Sequence, residues 1–546
     1  SAAEALESMK VGDSEALRQI QESLWRPMVK REEIAGGKKD NETETKTKGT
    51  SSLESRALLI ERQPRGKVVS ILEKNHAKVL VGGLQTANNL TLANLTPQDA
   101  LPDSINGLYF VPADTKYPNL YIPRSSFPET LASSPHSALQ QIYLAEISDN
   151  WPTRSRLPQG VNLRPVGQAG TIEAETEALL IMNDCCHGLF EEDILGPLRE
   201  KLRTFGVDAN DNDDSNSAEW TIPEAEIAKR KDLRDKRIFT IDPPNAKDLD
   251  DALHITPLER RIGDHQDRFE IGVHIADVSY FIDSNSALDM EARKRATSVY
   301  LVQKVIPMLP PVLCEQLCSL NPNVDRLAFS CIWQMNADGT LCDDVEPWFG
   351  RTVIRSCAKL DYLTAQRMID GIIPKCPSTS NTGEDSFLDE LSETVWESWR
   401  RPATVLPDGK PGHKAWACSL DVCLMHSIAK RRRQLRLDNG SLVLTSCKLA
   451  FKLDPTTGNP MESTAYVIRE SNQLVEEYML LANYLVAQEL ILTFNDKAFL
   501  RSHGEPDASG MKELQAAASQ LGFNLDTTTA KSVQDSLNVI TRETSP

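Results

Sequence analysis

The spacing of apolar and polar positions divides the chain into a β-rich part and a later part that mixes strands with helices. Residues 66–84 form two short alternating runs joined by an asparagine-containing turn, which predicts a β-hairpin. Short alternating runs continue at 108–123 and 141–152, and from about residue 171 the periodicity becomes helical. The run at 475–492 is apolar almost throughout after its first turn, which predicts a buried helix. The pattern therefore predicts an α+β multidomain protein in which a small β-barrel precedes a mixed α/β domain.

Changes of composition predict four segments. Residues 1–64 are polar and poor in aromatic side chains, and 36–52 is expected to be disordered. The alternating strands predict an OB-type (cold-shock) barrel at 65–170, a fold that commonly tracks single-stranded nucleic acid. A helical and acidic linker is expected at 171–234, and the mixed α/β domain at 235–546.

The densest chemical signal is a run of aspartates inside TIDPPNAKDLDDAL at 240–253. The aspartates of this run are Asp242, Asp248, Asp250 and Asp251. Carboxylates this close repel one another, so a fold keeps them together when a cation lies between them, and oxygen ligands favour Mg²⁺ or Mn²⁺. Such a site suits displacement at phosphorus, where the metal polarises the phosphate and activates a water. A solvated acidic turn is the alternative, and it fits poorly because the run is flanked by apolar, strand-like residues.

Four further blocks follow the aspartate run in order. They are FEIGVHIADVSYFI (269–282), RATSVYLVQKVIPMLPPVLCEQLCSLNP (295–322), WFGRTVIRSCAKLDY (348–362) and RESNQLVEEYMLLAN (469–483). Together the five blocks resemble the RNase II (RNB) family of processive 3′-to-5′ exoribonucleases. The phrases SVYLVQKVIPMLP and LVEEYMLLAN are closest to the eukaryotic, exosome-independent cytoplasmic branch, which degrades oligouridylated RNA. The resemblance implies a mixed α/β RNB nuclease domain, and it predicts that the polar N-terminal segment is the remnant of a first cold-shock domain.

The resemblance implies that the four aspartates are the catalytic and metal-binding acids. Asp242 and Asp251 are the expected direct ligands of Mg²⁺. Asp248 and Asp250 would complete the site by holding a second metal, the attacking water or the terminal ribose. Two metal ions would stabilise the entering and leaving oxygens, and the product would be a nucleoside 5′-monophosphate. This chemistry requires no histidine, and His274, between two apolar residues, is expected to be a core histidine.

The resemblance also indicates residues that contact RNA. Tyr300 matches the position at which bacterial relatives stack an aromatic ring on the last bases, and the alternative is a core tyrosine. Arg469, Asn472 and Glu476 lie at the start of an apolar helix and are expected to face the RNA. In the alternative interpretation, Glu476 and Glu477 favour the helix N-terminus electrostatically.

The net charge of −18 is unusual for an enzyme that acts on nucleic acid, because phosphate contacts require basic surface. Net charge says little where the functional charge is focused in a channel, and much of the acid lies in segments that are expected to be peripheral. The densest basic run, Lys430 to Arg436, is interpreted either as a solvated helix face or as an RNA-facing one.

Eleven cysteines without a zinc-type spacing favour free thiols in a reducing compartment. The expected location is the cytoplasm, including P-bodies. Asp208, Asn210, Asn212 and Glu219 match part of an EF-hand loop, but Asp213 stands where that loop needs glycine. Neither zinc nor calcium is therefore expected.

Single-stranded RNA is the expected partner of a monomer that associates neither with a membrane nor obligately with the exosome. The block FLRSHGEPD (499–507) only partly keeps an Arg-His-proline stretch of the family. A later arginine-bearing motif and a final OB-type domain are missing from the sequence, which predicts an incomplete nuclease domain. The alternative function is a non-catalytic RNA-binding relative in translational control. Such relatives typically lose the aspartates that this chain keeps.

Overall fold

The structure is a computed structural model that describes residues 79–85, 105–128, 131, 135–148, 156–207, 220–259, 267–372, 417–444, 449–454 and 460–544. The expectations for the N-terminal segment, for the first strand of the hairpin at 66–84 and for the EF-hand-like loop lie outside the described residues. The chain divides into two compact units, residues 1–186 and 187–546. The boundaries near 170 and 234 stay predictions.

The first unit is built on an antiparallel sheet. Its strands are β1 (Val79–Gln85), β2 (Gly107–Pro112), β3 (Leu120–Pro123), β4 (Gln141–Ile147) and β5 (Gly160–Gln168). They lie in the order β3-β2-β1-β4-β5, and a bridge between Tyr121 and Gln159 joins the two outer strands, so the sheet closes as a barrel. β1 to β4 confirm predicted strands. β5 was not predicted, because Pro165 interrupts its alternation.

Among the described residues of this unit, two α-helices accompany the barrel, a single turn α1 (Pro135–Ala138) and α2 (Ile172–Met182). α2 begins after Thr171, whose hydroxyl accepts a hydrogen bond from the backbone N–H of Ala174 at 3.4 Å. Ala178 of this helix packs with Val81 and Leu144 of the sheet. The predicted change to helix near residue 171 is confirmed.

The second unit contains ten described strands, of which β12 and β13 are the longest. They are β6 (Lys231–Asp232), β7 (Ile238–Asp242), β8 (Asp251–Pro257), β9 (Arg268–Ala276), β10 (Val299–Tyr300), β11 (Val305–Ile306), β12 (Asp325–Asn336), β13 (Trp348–Asp361), β14 (Leu449–Leu453) and β15 (Pro460–Ala465). The main sheet has the order β12-β9-β8-β7-β13-β6, and β12 also pairs with β13. β13 runs parallel to β6 and β7, whereas the other pairs of this sheet are antiparallel.

Eight helices are described in this unit. They are α3 (Glu192–Thr204), α4 (Glu224–Ile227), α5 (Ala287–Arg295), α6 (Tyr362–Ile369), α7 (Cys418–Asp438), α8 (Glu470–Phe494), α9 (Ala508–Gln520) and α10 (Ala530–Thr544). Helices α6, α7 and α8 contribute to one core, and α3 and α5 with a π-helical turn at Val312–Leu317 contribute to another. Alternate residues of β7 enter the two cores, Phe239 and Ile241 the first and Ile238 the second. Strands covered on both faces are buried almost throughout, as β7 is.

A row of polar side chains crosses four neighbouring strands inside this sheet. His254 Nδ1 lies 2.8 Å from His274 Nε2, and His274 Nδ1 lies 2.7 Å from the Ser330 hydroxyl. Ser330 in turn lies 2.7 Å from the hydroxyl of Thr352. His274 is fully buried, and burial lowers its pKa well below the ordinary value. The prediction of a core histidine is therefore confirmed.

The prediction of a buried helix at 475–492 is confirmed for the part up to Leu485 and wrong near the C-terminal end of the run. α8 buries Tyr478, Leu481 and Leu485, but Leu492 is 47% exposed. An apolar run predicts that a helix packs against other elements, but it does not show which part of the helix does so. In the part of the chain that the structure describes, no helix is both long and apolar enough to span a bilayer.

Candidate active site

The aspartate run lies at one edge of the central sheet of the second unit. β7 ends at Asp242, and β8, its antiparallel neighbour, begins at Asp251. Residues 243–250, named here the Asp loop, connect the two strands and carry Asp248 and Asp250. The strand ends and the loop therefore bring the four carboxylates to the same edge.

Burial and mutual repulsion disfavour the charged forms of these acids. Burial raises the pKa of Asp242 to about 7, and the charges of Asp251 and Asp250 add to the effect. Burial, followed by repulsion from Asp250, raises the pKa of Asp251 to about 6. The pKa of Asp250 is also raised, by loss of solvent around its carboxyl group and then by Asp248, although the residue as a whole is exposed. Perturbed carboxylates of this kind are typical of functional sites.

One oxygen of the cluster has no donor. Asp242 is 8% exposed, and its Oδ2 finds no hydrogen-bond partner among the described residues. A buried carboxylate oxygen left in this way is costly unless a ligand or ion satisfies it. The donor set consists of carboxylate oxygens, which fits Mg²⁺ or Mn²⁺ better than a softer metal.

The four carboxylates influence one another electrostatically, but their side chains do not converge on one point. No three histidine, cysteine, aspartate or glutamate side chains converge in a metal-binding arrangement within the described ranges. Asp248 is instead engaged by Tyr300, whose hydroxyl donates to Asp248 Oδ2 at 2.5 Å.

Tyr300 presents its ring at the surface beside the carboxylates. It lies on the short hairpin of β10 and β11, and its side chain is 63% exposed. The core-tyrosine alternative is therefore wrong, because a core ring would be buried. Base stacking stays a prediction for this ring.

The start of α8 is held by its own polar residues. The backbone N–H of Arg469 donates to Asn472 Oδ1 at 2.9 Å, which fixes the first turn. Asn472 Nδ2 donates to the hydroxyl of Tyr466 at 3.3 Å. Arg469 and Asn472 thus hold the first turn of α8, and neither makes a hydrogen bond to the four aspartates among the described contacts.

Glu476 contacts the basic run of α7. Its carboxylate lies 3.2 Å from Arg433 and 4.0 Å from Arg436. The neighbouring Glu477, which is 2% exposed, pairs with the same two arginines at 3.1 and 2.7 Å. The basic run from Lys430 to Arg436 therefore contributes to a helix–helix ion-pair network, an arrangement that neither interpretation of the sequence included.

Four residues at the site were not singled out from the sequence: Ser319, Lys359, Tyr362 and Cys314. Lys359 carries a charge that favours ionised Asp242, and its Nζ donates to the carbonyl of Ala246 at 2.5 Å. Burial and then the nearby acids raise the pKa values of Tyr362 and Cys314 to about 12. The sequence offered one signal for two of these residues. Lys359 and Tyr362 are polar residues close together in AKLDY, at the end of a long strand pattern.

Comparisons with known proteins place the two units among described families. A model described as the RNB domain matches residues 230–545, which is more than half of the chain. A model described as Dis3-like cold-shock domain 2 (CSD2) matches residues 108–184. The predicted OB-type barrel followed by an RNB domain is thereby confirmed.

Individual relatives are longer than this chain. The chain is 38% identical over 476 residues to DIS3-like exonuclease 2 of Xenopus tropicalis, an alignment that covers 87% of the chain and 50% of that relative. It is 34% identical over 490 residues to a protein of Arabidopsis thaliana named Inactive exonuclease DIS3L2, covering 88% of the chain and 41% of the relative. The chain thus spans about half the length, or less, of these relatives.

A solved structure shares the fold. RNase R of Mycoplasma genitalium, in complex with double-stranded RNA, superposes with a TM-score of 0.59 at 20% identity, covering 88% of this chain and 69% of that one. At this identity the likeness shows the fold alone.

Proposed function

Because this chain belongs to the RNB family, we propose that it is a Mg²⁺-dependent 3′-to-5′ exoribonuclease. It would hydrolyse single-stranded RNA processively and release nucleoside 5′-monophosphates. The observation that carries the proposal is the buried Asp242 oxygen without a donor, in a cluster of acids whose pKa values are raised. Such a cluster fits a divalent cation, and Mn²⁺ could replace Mg²⁺.

The strand-end and loop carboxylates would have different tasks. Asp242 and Asp251, fixed at the ends of two paired strands, are the proposed direct ligands, with Asp248 and Asp250 completing the set from the Asp loop. The bound ion would polarise the scissile phosphate and supply an activated water. Since the pKa of Asp242 is about 7, loading the site at neutral pH requires this carboxyl group to release a proton.

Two tyrosines would orient the RNA. Tyr362 keeps its proton because its pKa is about 12, so its hydroxyl offers a hydrogen-bond donor near Asp251 and Asp242. The exposed ring of Tyr300 would stack on a base near the 3′ end, a contact that tolerates any base identity. Arg469, Asn472 and Glu476 stay proposals as RNA contacts, with Glu476 shared with the ion pairs of α7.

The finer assignments are proposals that extend this function. The similarity to proteins named DIS3-like exonuclease 2 supports an exonuclease. The further proposals are oligouridylated RNA as the substrate, decay of mRNA and small RNA in the cytoplasm, including P-bodies, and a monomer without obligate exosome association. A similar relative named as inactive keeps a second candidate function open, that of an RNA-binding protein without turnover. The four aspartates favour the enzyme.

The test is degradation of a 5′-labelled, oligouridine-tailed RNA by this chain with Mg²⁺. Stepwise shortening is expected for the parent and for Asp343→Asn, which removes an acid from an exposed position. Asp250→Asn is expected to lose it. RNA that the parent binds equally well in Mg²⁺ and in EDTA, and leaves intact in both, would contradict the enzyme and favour the RNA-binding alternative.

A further inference from the structure

The Asp loop is irregular in backbone yet carries two of the four acids. Residues 243–250 contain neither helix nor strand in the structure. Segments of this kind usually run over the surface and move more than the strands that they connect. A metal site needs its ligands held near the productive geometry, so something outside the loop must fix its backbone.

Ser319 holds the loop on both sides of Asp248. Its hydroxyl donates to the carbonyl of Lys247 at 2.7 Å and accepts from the backbone N–H of Leu249 at 3.1 Å. The adjacent N–H of Leu320 donates to the carbonyl of Leu249 at 2.9 Å. One side chain thus binds the residues before and after Asp248.

The hydroxyl of Ser319 is itself fixed. Ser319 is fully buried, so water does not compete for its two bonds. Its own carbonyl accepts from Arg326 Nε at 2.9 Å, and Arg326 is 7% exposed on β12. Arg326 on β12 thus fixes the backbone of Ser319, and the Ser319 hydroxyl fixes the backbone on both sides of Asp248.

Lys359 holds the earlier part of the same loop through Ala246, but it differs from Ser319 in one respect. Its ammonium group also places a positive charge near Asp242. Removing Lys359 would release the loop and at the same time relieve repulsion of a cation, and the two effects oppose each other. Ser319 is neutral, so its removal changes position without changing charge.

We propose that Ser319 is a positioning residue of the metal site: it holds the Asp loop so that Asp248 and Asp250 can share a divalent cation with Asp242 and Asp251. Ser319 is fully buried, so it would act on the cation only through the Asp loop that it binds. The inference rests on the proposed metal-dependent function and extends it to a residue about 70 positions away along the chain.

A purely structural role would have another signature. Loss of any buried hydroxyl leaves polar groups unsatisfied and lowers stability. Loss of a positioning hydroxyl also lowers the affinity of the molecules that remain folded, typically by about ten- to a hundredfold for groups that orient metal ligands. Metal affinity in the folded state therefore separates the two roles.

The matched control is Ser330→Ala. Ser330 is also fully buried and bonds two side chains, His274 and Thr352, at 2.7 Å each. Neither of them belongs to the Asp loop. Ser330→Ala should lower the unfolding temperature by an amount similar to that for Ser319→Ala.

The experiment is a titration of the full chain with Mn²⁺, in which free Mn²⁺ is followed by electron paramagnetic resonance. Circular dichroism and thermal unfolding verify the fold of each variant. Ser319→Ala is expected to weaken Mn²⁺ binding about ten- to a hundredfold, and Ser330→Ala to stay within about twofold of the parent. Hydrogen exchange without metal should become faster in peptides from the Asp loop for Ser319→Ala alone.

The outcomes separate this inference from the proposed function. A folded Ser319→Ala chain with the parent's Mn²⁺ affinity overturns the positioning role, as does an equal loss of affinity in Ser330→Ala. If Ser319→Ala does not fold, Ser319→Cys under reducing conditions decides by the same criteria, and failure of both to fold assigns the residue a structural role instead. A parent chain that binds no Mn²⁺ overturns the metal-dependent function and the inference with it.

Discussion

Two regions of the second unit bury an acidic side chain, one beside arginines and the other beside further aspartates. Glu477 on α8 is 2% exposed and lies between Arg433 and Arg436 at 3.1 and 2.7 Å. Asp242 at the end of β7 is 8% exposed, has other aspartates as neighbours, and has one oxygen without a donor among the described residues. The first acid is paired with two arginines, whereas the pKa of the second stays raised despite the nearby charge of Lys359.

The difference separates structural acids from functional ones. A buried acid with its own cations fixes how two helices meet, and removal of one partner leaves the others uncompensated. A buried acid among acids lowers the stability of the chain alone and is retained where it meets an outside partner. Exchanging each acid for its neutral amide should therefore produce opposite results in the two regions.

The largest effect is expected for Asp242→Asn. Exoribonuclease activity should fall by about 10²–10³-fold, because a proposed ligand of the metal ion that would stabilise charge in the transition state is lost. The metal-free variant should be at least as stable as the parent, because a repelled buried charge has been removed. Activity assays and thermal unfolding of the same preparations measure both. A metal-free variant that is markedly less stable than the parent would contradict the view that the charge of Asp242 is repelled in the metal-free chain.

Glu477→Gln should have the opposite profile. Loss of this carboxylate leaves Arg433 and Arg436 with Glu476 as their remaining acid, which should lower the free energy of unfolding by about 2–3 kcal/mol. This is at or below the low end for a broken buried pair, because both arginines keep that partner and some solvent contact. Denaturant unfolding gives the loss, and Mn²⁺ titration of the folded variant should give the parent's affinity. A large fall in metal affinity would mean that the two regions are coupled.

The dependence of stability on pH offers a smaller effect. The pKa of Asp242 is about 7 in the folded chain against an ordinary value of 3.8. Between these values the folded chain binds more protons at this carboxyl group than the unfolded chain, so the free energy of unfolding falls as the pH rises. We expect a loss on the order of 1–2 kcal/mol from pH 4 to pH 7 for the metal-free parent relative to Asp242→Asn, since coupled carboxylates share the proton. Equal pH profiles for the two proteins would contradict the raised pKa.

The chemistry of the site could be predicted where its residues are close in sequence. The four aspartates lie within one short run, and their flanking apolar residues already indicated strand ends. Ser319 and Lys359 could not be found in this way, because they lie 72 and 113 positions from the loop residues that they bind. A hydrogen bond between a side chain and a distant carbonyl leaves no periodicity in the sequence.

The fold followed the same rule. Strands with clear alternation, such as those of the barrel, were predicted, whereas β5 with its proline was not. The basic run of α7 shows the limit most clearly. Its charge was evident from the sequence, but its partners are acids on α8, some 40 residues away. Which way a charged helix face points depends on packing that composition does not record.

The hydrogen bond between His254 and His274 favours one alignment of β8 with β9. Side chains alternate between the faces of a strand, so a slip of one residue between β8 and β9 would turn one imidazole away from the other. The two imidazoles would then lose their hydrogen bond inside the sheet, where no water replaces it. The same slip would also rotate Asp251, at the first position of β8, to the opposite face. A chain misaligned at the histidines could therefore not assemble its four carboxylates. The lost hydrogen bond inside the sheet would already destabilise such a fold before any metal or RNA bound.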